Sequence, residues 1–145
     1  MITTPTSQVD GRKAFALTSA IVVLALVAGA IHLSLGAPIF ILNALGYFAL
    51  VAAYLVAAAV SHPLVVRFRW LPRVALLAYA AASIVAWLLI GGFYWLGYLT
   101  KGIELTLILL LIVDIYRVHG GVRGLLGQAT DSMRWAVAKI RHQGT

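Results

Sequence analysis

Apolar residues in this chain come in four long runs, rather than in the alternation of a half-buried strand or the one-sided stripe of a soluble helix. Residues 14–35, 39–60, 74–90 and 96–116 each approach the roughly 20 residues that a helix needs to cross about 30 Å of hydrocarbon. Turn formers sit between the runs. "GAP" at 36–38 puts a glycine where one helix closes and a proline where the next opens with its fixed φ. "GGFYW" at 91–95 joins the third run to the fourth as briefly, and short links make neighbouring helices antiparallel. The pattern predicts an all-α protein, a four-helix transmembrane bundle over residues 14–116. "HPLVVRFRWLP" at 62–72 is bracketed by prolines and reads as a link, with Phe68 and Trp70 at headgroup depth. After the fourth run the period changes. Val122, Leu125, Leu126, Ala129, Met133, Ala136, Val137 and Ile140 recur at helical spacing opposite Arg123, Gln128, Asp131, Arg134 and Lys139. That spacing predicts a C-terminal amphipathic interfacial helix in a basic tail over residues 117–145.

Composition agrees with a membrane location. The chain of 145 residues is 63% hydrophobic and 10% charged, whereas soluble domains are near half apolar and about a quarter charged. The first run is too long for a secretory signal, lacks a small-residue cleavage site and is followed by others like it, so it is expected to remain as a helix. There is no cysteine, which removes disulfides, thiolate metal sites and cysteine nucleophiles. The net charge of +7 would suit nucleic acid, but the placement of the cations follows topology instead. Arg12 and Lys13 precede the first run, Arg67, Arg69 and Arg73 lie between the second and third, and Arg117, Arg123, Arg134, Lys139 and Arg141 follow the fourth. Only Lys101 is on the other side. An excess of Lys and Arg marks the cytoplasmic face. Both termini, including the tail of residues 1–13, are therefore expected in the cytoplasm, with the bundle in the cell (inner) membrane. The expected partners are the bilayer, anionic inner-leaflet lipids beneath the C-terminal helix, and other membrane subunits; nucleic acid is not expected.

Candidate chemistry follows from depth at about 1.5 Å per residue. His32 lies near the outer end of the first run, Asn43 near the start of the second, and Tyr98, Lys101 and Glu104 in the first turns of the fourth. Separate helices thus deliver polar groups to one layer. Behind His32, Ala25, Ala28 and Gly29 are the small residues that let membrane helices approach closely, so His32 is expected to face protein. Asn43, Gly46, Tyr47, Leu50 and Tyr54 form the inward stripe of the second helix, and Tyr79, Ser83 and Ala86 that of the third. His32, Asn43, Tyr47, Tyr98, Lys101 and Glu104 are the expected polar intramembrane cluster. A charge at such depth is costly unless paired or facing a cavity. Lys101 is three residues from Glu104, and His32 is the expected partner of Glu104 across the bundle. Asp114 is expected to form an inner-end ion pair with Arg117 or Arg73. His32 offers one axial position to a haem or chlorophyll, but no second intramembrane histidine accompanies it.

Three runs, "HLSLG" at 32–36, "LNALGY" at 42–47 and "GYLTKGIE" at 97–104, make the helical part, about residues 14–116, resemble a family of small four-helix prokaryotic membrane proteins with a DoxX-like layout. The resemblance implies membrane redox and quinone-linked chemistry, with His32, Asn43, Lys101 and Glu104 as the residues that would meet a quinone. Fold-level likeness does not transfer function. The residues themselves carry no phosphate-cradling loop, no paired histidines at metal spacing and no nucleophile elbow. The expectation is therefore a non-enzymatic accessory or assembly component of a membrane complex, with a DoxX-like quinone-linked redox protein as the alternative. In the blander reading of the cluster, His32 and Glu104 only hold the helices in register by a hydrogen bond.

Overall fold

The structure, a computed structural model, describes the backbone of residues 5–143 and the side chains of residues 10–141. It is all-helical among these residues: α1 (Pro5–Ser34), α2 (Pro38–Ala59), α3 (Pro63–Phe68), α4 (Trp70–Ile90), α5 (Trp95–His119) and α6 (Val122–Gln143). Four of them, over Asp10–Ser34, Pro38–Ala59, Trp70–Ile90 and Trp95–His119, are long and apolar enough to cross a membrane. Each boundary has a local cause. Gly36 takes φ 71°, in the left-handed region, to end the first helix, and Pro38 opens α2 where its missing N–H is no loss. Gly120, at φ 69°, caps α5 by donating its N–H to Tyr116 O.

Several helix boundaries differ from the sequence reading, and α1 already begins at Pro5, within the stretch read as a tail over residues 1–13. The link at 62–72 contains α3, begun by Pro63 behind a His62 side chain that accepts the Leu64 N–H. The helix that holds the third run starts at Trp70, ahead of the run at 74–90. Pro72 reads as a break, but at the third position of a helix its absent N–H would have had no intrahelical partner. Trp70 packs inside the protein, 8% exposed.

α1 packs against α2 and α5, and α4 packs against the same two. The four long helices thus form an up-down ring in the order α1, α2, α4, α5, with α2 and α5 on one diagonal. The α1–α2 and α4–α5 turns share one end, here the hairpin end; the other, where α3 and α6 lie, is the terminal end. Ile21, Ala25 and Ala28 of α1, Tyr47, Val51 and Tyr54 of α2, Leu76 and Ala80 of α4, and Leu107 and Leu111 of α5 form the core. Alanines on α1 and α4 let each pack closely on its neighbours, and the large residues of α2 and α5 fill the middle. Outward positions are apolar as well, with Ile90 80%, Leu89 76% and Trp95 74% exposed. In water this would be an aggregating surface; against lipid tails it is the expected one.

α6 leaves the bundle and docks on α3. Gln128 Nε2 donates to Val66 O at 2.8 Å and Ser132 Oγ to Arg67 O at 2.8 Å, satisfying carbonyls at the end of the short helix. Trp135 completes the contact, with Arg67 at 4.8 Å over its ring and Phe68 at 6.2 Å. Gln128 therefore belongs to the docked face and not, as its period suggests, to a solvated one. Val122, Leu126, Met133, Val137 and Ile140 remain exposed as one stripe.

Gly46 faces α4, where an added Cβ would overlap the Tyr79 hydroxyl, itself hydrogen-bonded to Asn43 O. At Gly102 nothing lies within 4 Å of such a Cβ. Gly46→Ala is expected to destabilise the bundle by about 1–3 kcal/mol, the usual cost of overpacking. Gly102→Ala should be neutral or stabilising by up to about 1 kcal/mol. Reversible unfolding in mixed micelles measures both.

Candidate functional site

Two buried carboxylates organise the interior. α5 presents Thr100, Glu104, Leu107, Leu111 and Asp114 inward, at steps of four, three, four and three residues that keep one stripe facing the bundle axis. Glu104 and Asp114 are both 0% exposed. Each must replace its lost hydration with protein donors.

Glu104 does so at the hairpin end. Its Oε1 accepts from Tyr47 Oη at 2.9 Å and from Ser83 Oγ at 2.8 Å, and its Oε2 accepts from Lys101 Nζ at 2.6 Å. Lys101 also donates to Ser83 Oγ at 2.8 Å and Ser83 O at 3.2 Å, so all three of its protons are engaged. Asn43 Nδ2 donates to Ser83 Oγ at 3.3 Å. His32, 4% exposed, donates from Nδ1 to Ala28 O at 2.8 Å and stacks obliquely on Tyr47, ring centroids 5.8 Å apart. Its Nε2 faces Glu104 Oε1 at 3.8 Å, beyond hydrogen-bond length. Imidazole and carboxylate thus face one another in the same layer, while the hydrogen bonds to Glu104 come from Tyr47, Ser83 and Lys101.

Asp114 repeats the arrangement at the terminal end. Oδ2 accepts from Arg73 Nε at 2.8 Å and Tyr54 Oη at 3.0 Å, and Oδ1 accepts from Arg117 at 2.7 Å. The sequence leaves Arg73 and Arg117 as alternatives; both bind, one to each carboxylate oxygen. Arg73 is 3% exposed and is held further by the Arg69 carbonyl at 2.7 Å.

Of the six residues expected in the hairpin-end cluster, the structure brings together His32, Asn43, Tyr47, Lys101 and Glu104. Tyr98 stands apart, 57% exposed and edge-on to Trp87 at 5.0 Å. Each three-residue step falls about 60° short of a full turn, so two steps carry Tyr98 about 120° from the face of Glu104. Ser83 is the member that the expected cluster lacks, although its inward stripe with Tyr79 is readable. It bridges Lys101, Glu104 and Asn43, and nothing in a lone serine announces that.

Beside this cluster lies a cavity of about 500 Å³, bounded by the hairpin-end turns of all four long helices. His32, Asn43, Ser83 and Lys101 form its polar side, and its walls are apolar, among them Leu42, Phe40, Ala86 and Trp87. The volume suits a small or medium-sized ligand. Among the described residues no group of three His, Asp or Glu side chains is placed to hold a metal ion.

Arg73→Met leaves Asp114 short of its buried cation and is expected to cost about 3–5 kcal/mol. Arg117→Ala should cost much less, since Arg117 is 40% exposed and water replaces it. Unfolding free energies of the two variants, measured side by side, check the order. No protein-family model, curated protein or solved structure matches the chain.

Proposed function

We propose that this multipass membrane protein holds a small amphipathic molecule in the hairpin-end cavity, its polar head at His32 and Asn43 and its apolar part along Leu42, Phe40 and Trp87. The supporting observation is the change of wall chemistry within one cavity, apolar over most of its surface and hydrogen-bonding at one side. Lipids with a hydrogen-bonding head fit that division, and quinones are among them. A tetrapyrrole fits poorly, because a macrocycle would need an open face at an imidazole that is 4% exposed. The role is one of binding rather than catalysis. Lys101 and Glu104 are committed to each other and to Ser83, which leaves neither free to act on a substrate.

An accessory role in a larger complex draws less support. The small residues that suggest helix association are used inside the chain: Ala25 and Ala28 are fully buried, and a Cβ at Gly29 would meet Phe48 at 2.6 Å. The proposed setting is the cell (inner) membrane with both termini cytoplasmic, supported by ten of the eleven Lys and Arg lying toward the terminal end. There α6 would rest on anionic inner-leaflet lipids. Its exposed apolar stripe supports this, as do Arg123, Arg134 and Arg141 along one flank of that stripe.

Lipid extraction and mass spectrometry of the protein purified in mild detergent should recover a stoichiometric amphiphile. Ala82→Trp, which fills the cavity, should abolish its recovery while the fold persists. An empty wild-type extract, with no thermal stabilisation by added amphiphiles, contradicts the reading. Topology is tested separately: because the chain has no cysteine, Ser61→Cys should react with an impermeant maleimide only after membranes are opened, and Ala37→Cys in intact cells.

A further inference from the structure

The hydrogen-bond network of the hairpin-end cluster has a direction, and the direction selects the ligand. Lys101 only donates, and all three of its protons are bound, to Ser83 O, Ser83 Oγ and Glu104 Oε2. Ser83 has one hydroxyl proton, which goes to Glu104 Oε1 at 2.8 Å. It therefore cannot donate to Asn43 and must accept from it, so the amide nitrogen of Asn43 points at Ser83 Oγ, 3.3 Å away. The amide oxygen Oδ1 is left without a donor. His32 is fixed by the same reasoning: Nδ1 lies 2.8 Å from Ala28 O, which only accepts, so Nδ1 carries the proton. In the neutral ring Nε2 then carries no proton, and it makes no hydrogen bond to Glu104 Oε1 at 3.8 Å. Nε2 is an acceptor.

Both residues line the cavity, and what Nε2 and Oδ1 lack is a proton donor. From this we infer that the molecule bound there is an apolar compound with a hydroxyl head, an alcohol, a phenol or the hydroquinone form of a quinone. The inference rests on the proposed cavity function and narrows it. A hydroxyl gives its proton to His32 Nε2 or Asn43 Oδ1 and accepts in return from the second amide proton of Asn43. A carbonyl, ether or carboxylate has no proton to give. It could only accept the second amide proton of Asn43, leaving Nε2 and Oδ1 without a donor, and the nearby cation, Lys101, is fully occupied. Acceptors left unpaired when a ligand covers them are what makes such a site discriminate.

The test uses the full chain in nanodiscs with three probes that share an apolar tail: a 4-alkylphenol, its methyl ether and the corresponding alkyl benzoquinone. Affinities are read from ligand-dependent thermal stabilisation. The expected result is that the phenol binds at least about tenfold more tightly than the ether or the quinone, the worth of one well-placed hydrogen bond. In His32→Leu the ratio should fall toward one through loss of phenol affinity alone. Asn43→Leu gives a second reading should the first variant fold poorly. Equal binding of the three probes overturns the head-group inference and leaves the cavity function standing, as does tighter binding of the quinone. No binding of any probe overturns both.

Discussion

A carboxylate enclosed by four apolar helices has no water to turn to, and this chain encloses two. Glu104 and Asp114 project from the same face of α5 and are fully buried. Each obtains a phenol from α2, Tyr47 for the first and Tyr54 for the second. α2 and α5 occupy opposite corners of the ring, so these hydrogen bonds cross the bundle interior. Each carboxylate also obtains a cation, Lys101 from α5 itself and Arg73 from α4. Between transmembrane helices the hydrophobic effect gives little preference for one rotation over another, because lipid tails are as apolar as the partner helix. The two polar layers supply that preference. Turning α2 or α5 by a fraction of a turn would strand a charge in hydrocarbon, at a cost of several kcal/mol.

The same constraint shapes the cavity. Lys101 is drawn inward to Ser83 and Glu104 instead of extending toward the nearby headgroups, which long side chains near helix ends ordinarily reach. The space it does not fill lies at the hairpin end among apolar side chains. The terminal end differs because arginine meets Asp114 from two helices and α3 with α6 covers that side of the chain. The terminal end is held by ion pairs and docking, and the hairpin end carries the cavity beside Glu104's cluster.

How much of this can be read from the chain depends on the physical source of each feature. The four spans are legible because lipid demands long, uninterrupted apolar helices, and their depth alone gathers His32, Asn43, Tyr47, Lys101 and Glu104 into one layer. Rotation about the helix axis is less legible. Tyr98 looks like a neighbour of Glu104 by three-residue steps, yet it stands outside because those steps drift around the helix. Pro72 looks like a helix boundary and is not, because position within the first turn decides what a proline costs. Least legible are choices among partners. Ser83 as a bridge, Tyr54 as a donor to Asp114, and Gln128 as a clasp for α3 depend on which helices become neighbours, and that is settled only when the whole bundle packs.

The central claim is that a phenol crossing the diagonal to a buried carboxylate holds the bundle in register. A double-mutant cycle on Tyr47→Phe and Glu104→Gln, read by reversible unfolding in micelles, isolates that contact. Hydrogen bonds between membrane helices average about 0.6 kcal/mol and reach about 1.7 kcal/mol. With an ionised acceptor and a fully buried phenol, the coupling should lie at the upper end, about 1 kcal/mol or more. Additive single-variant effects, with no coupling beyond error, would contradict it.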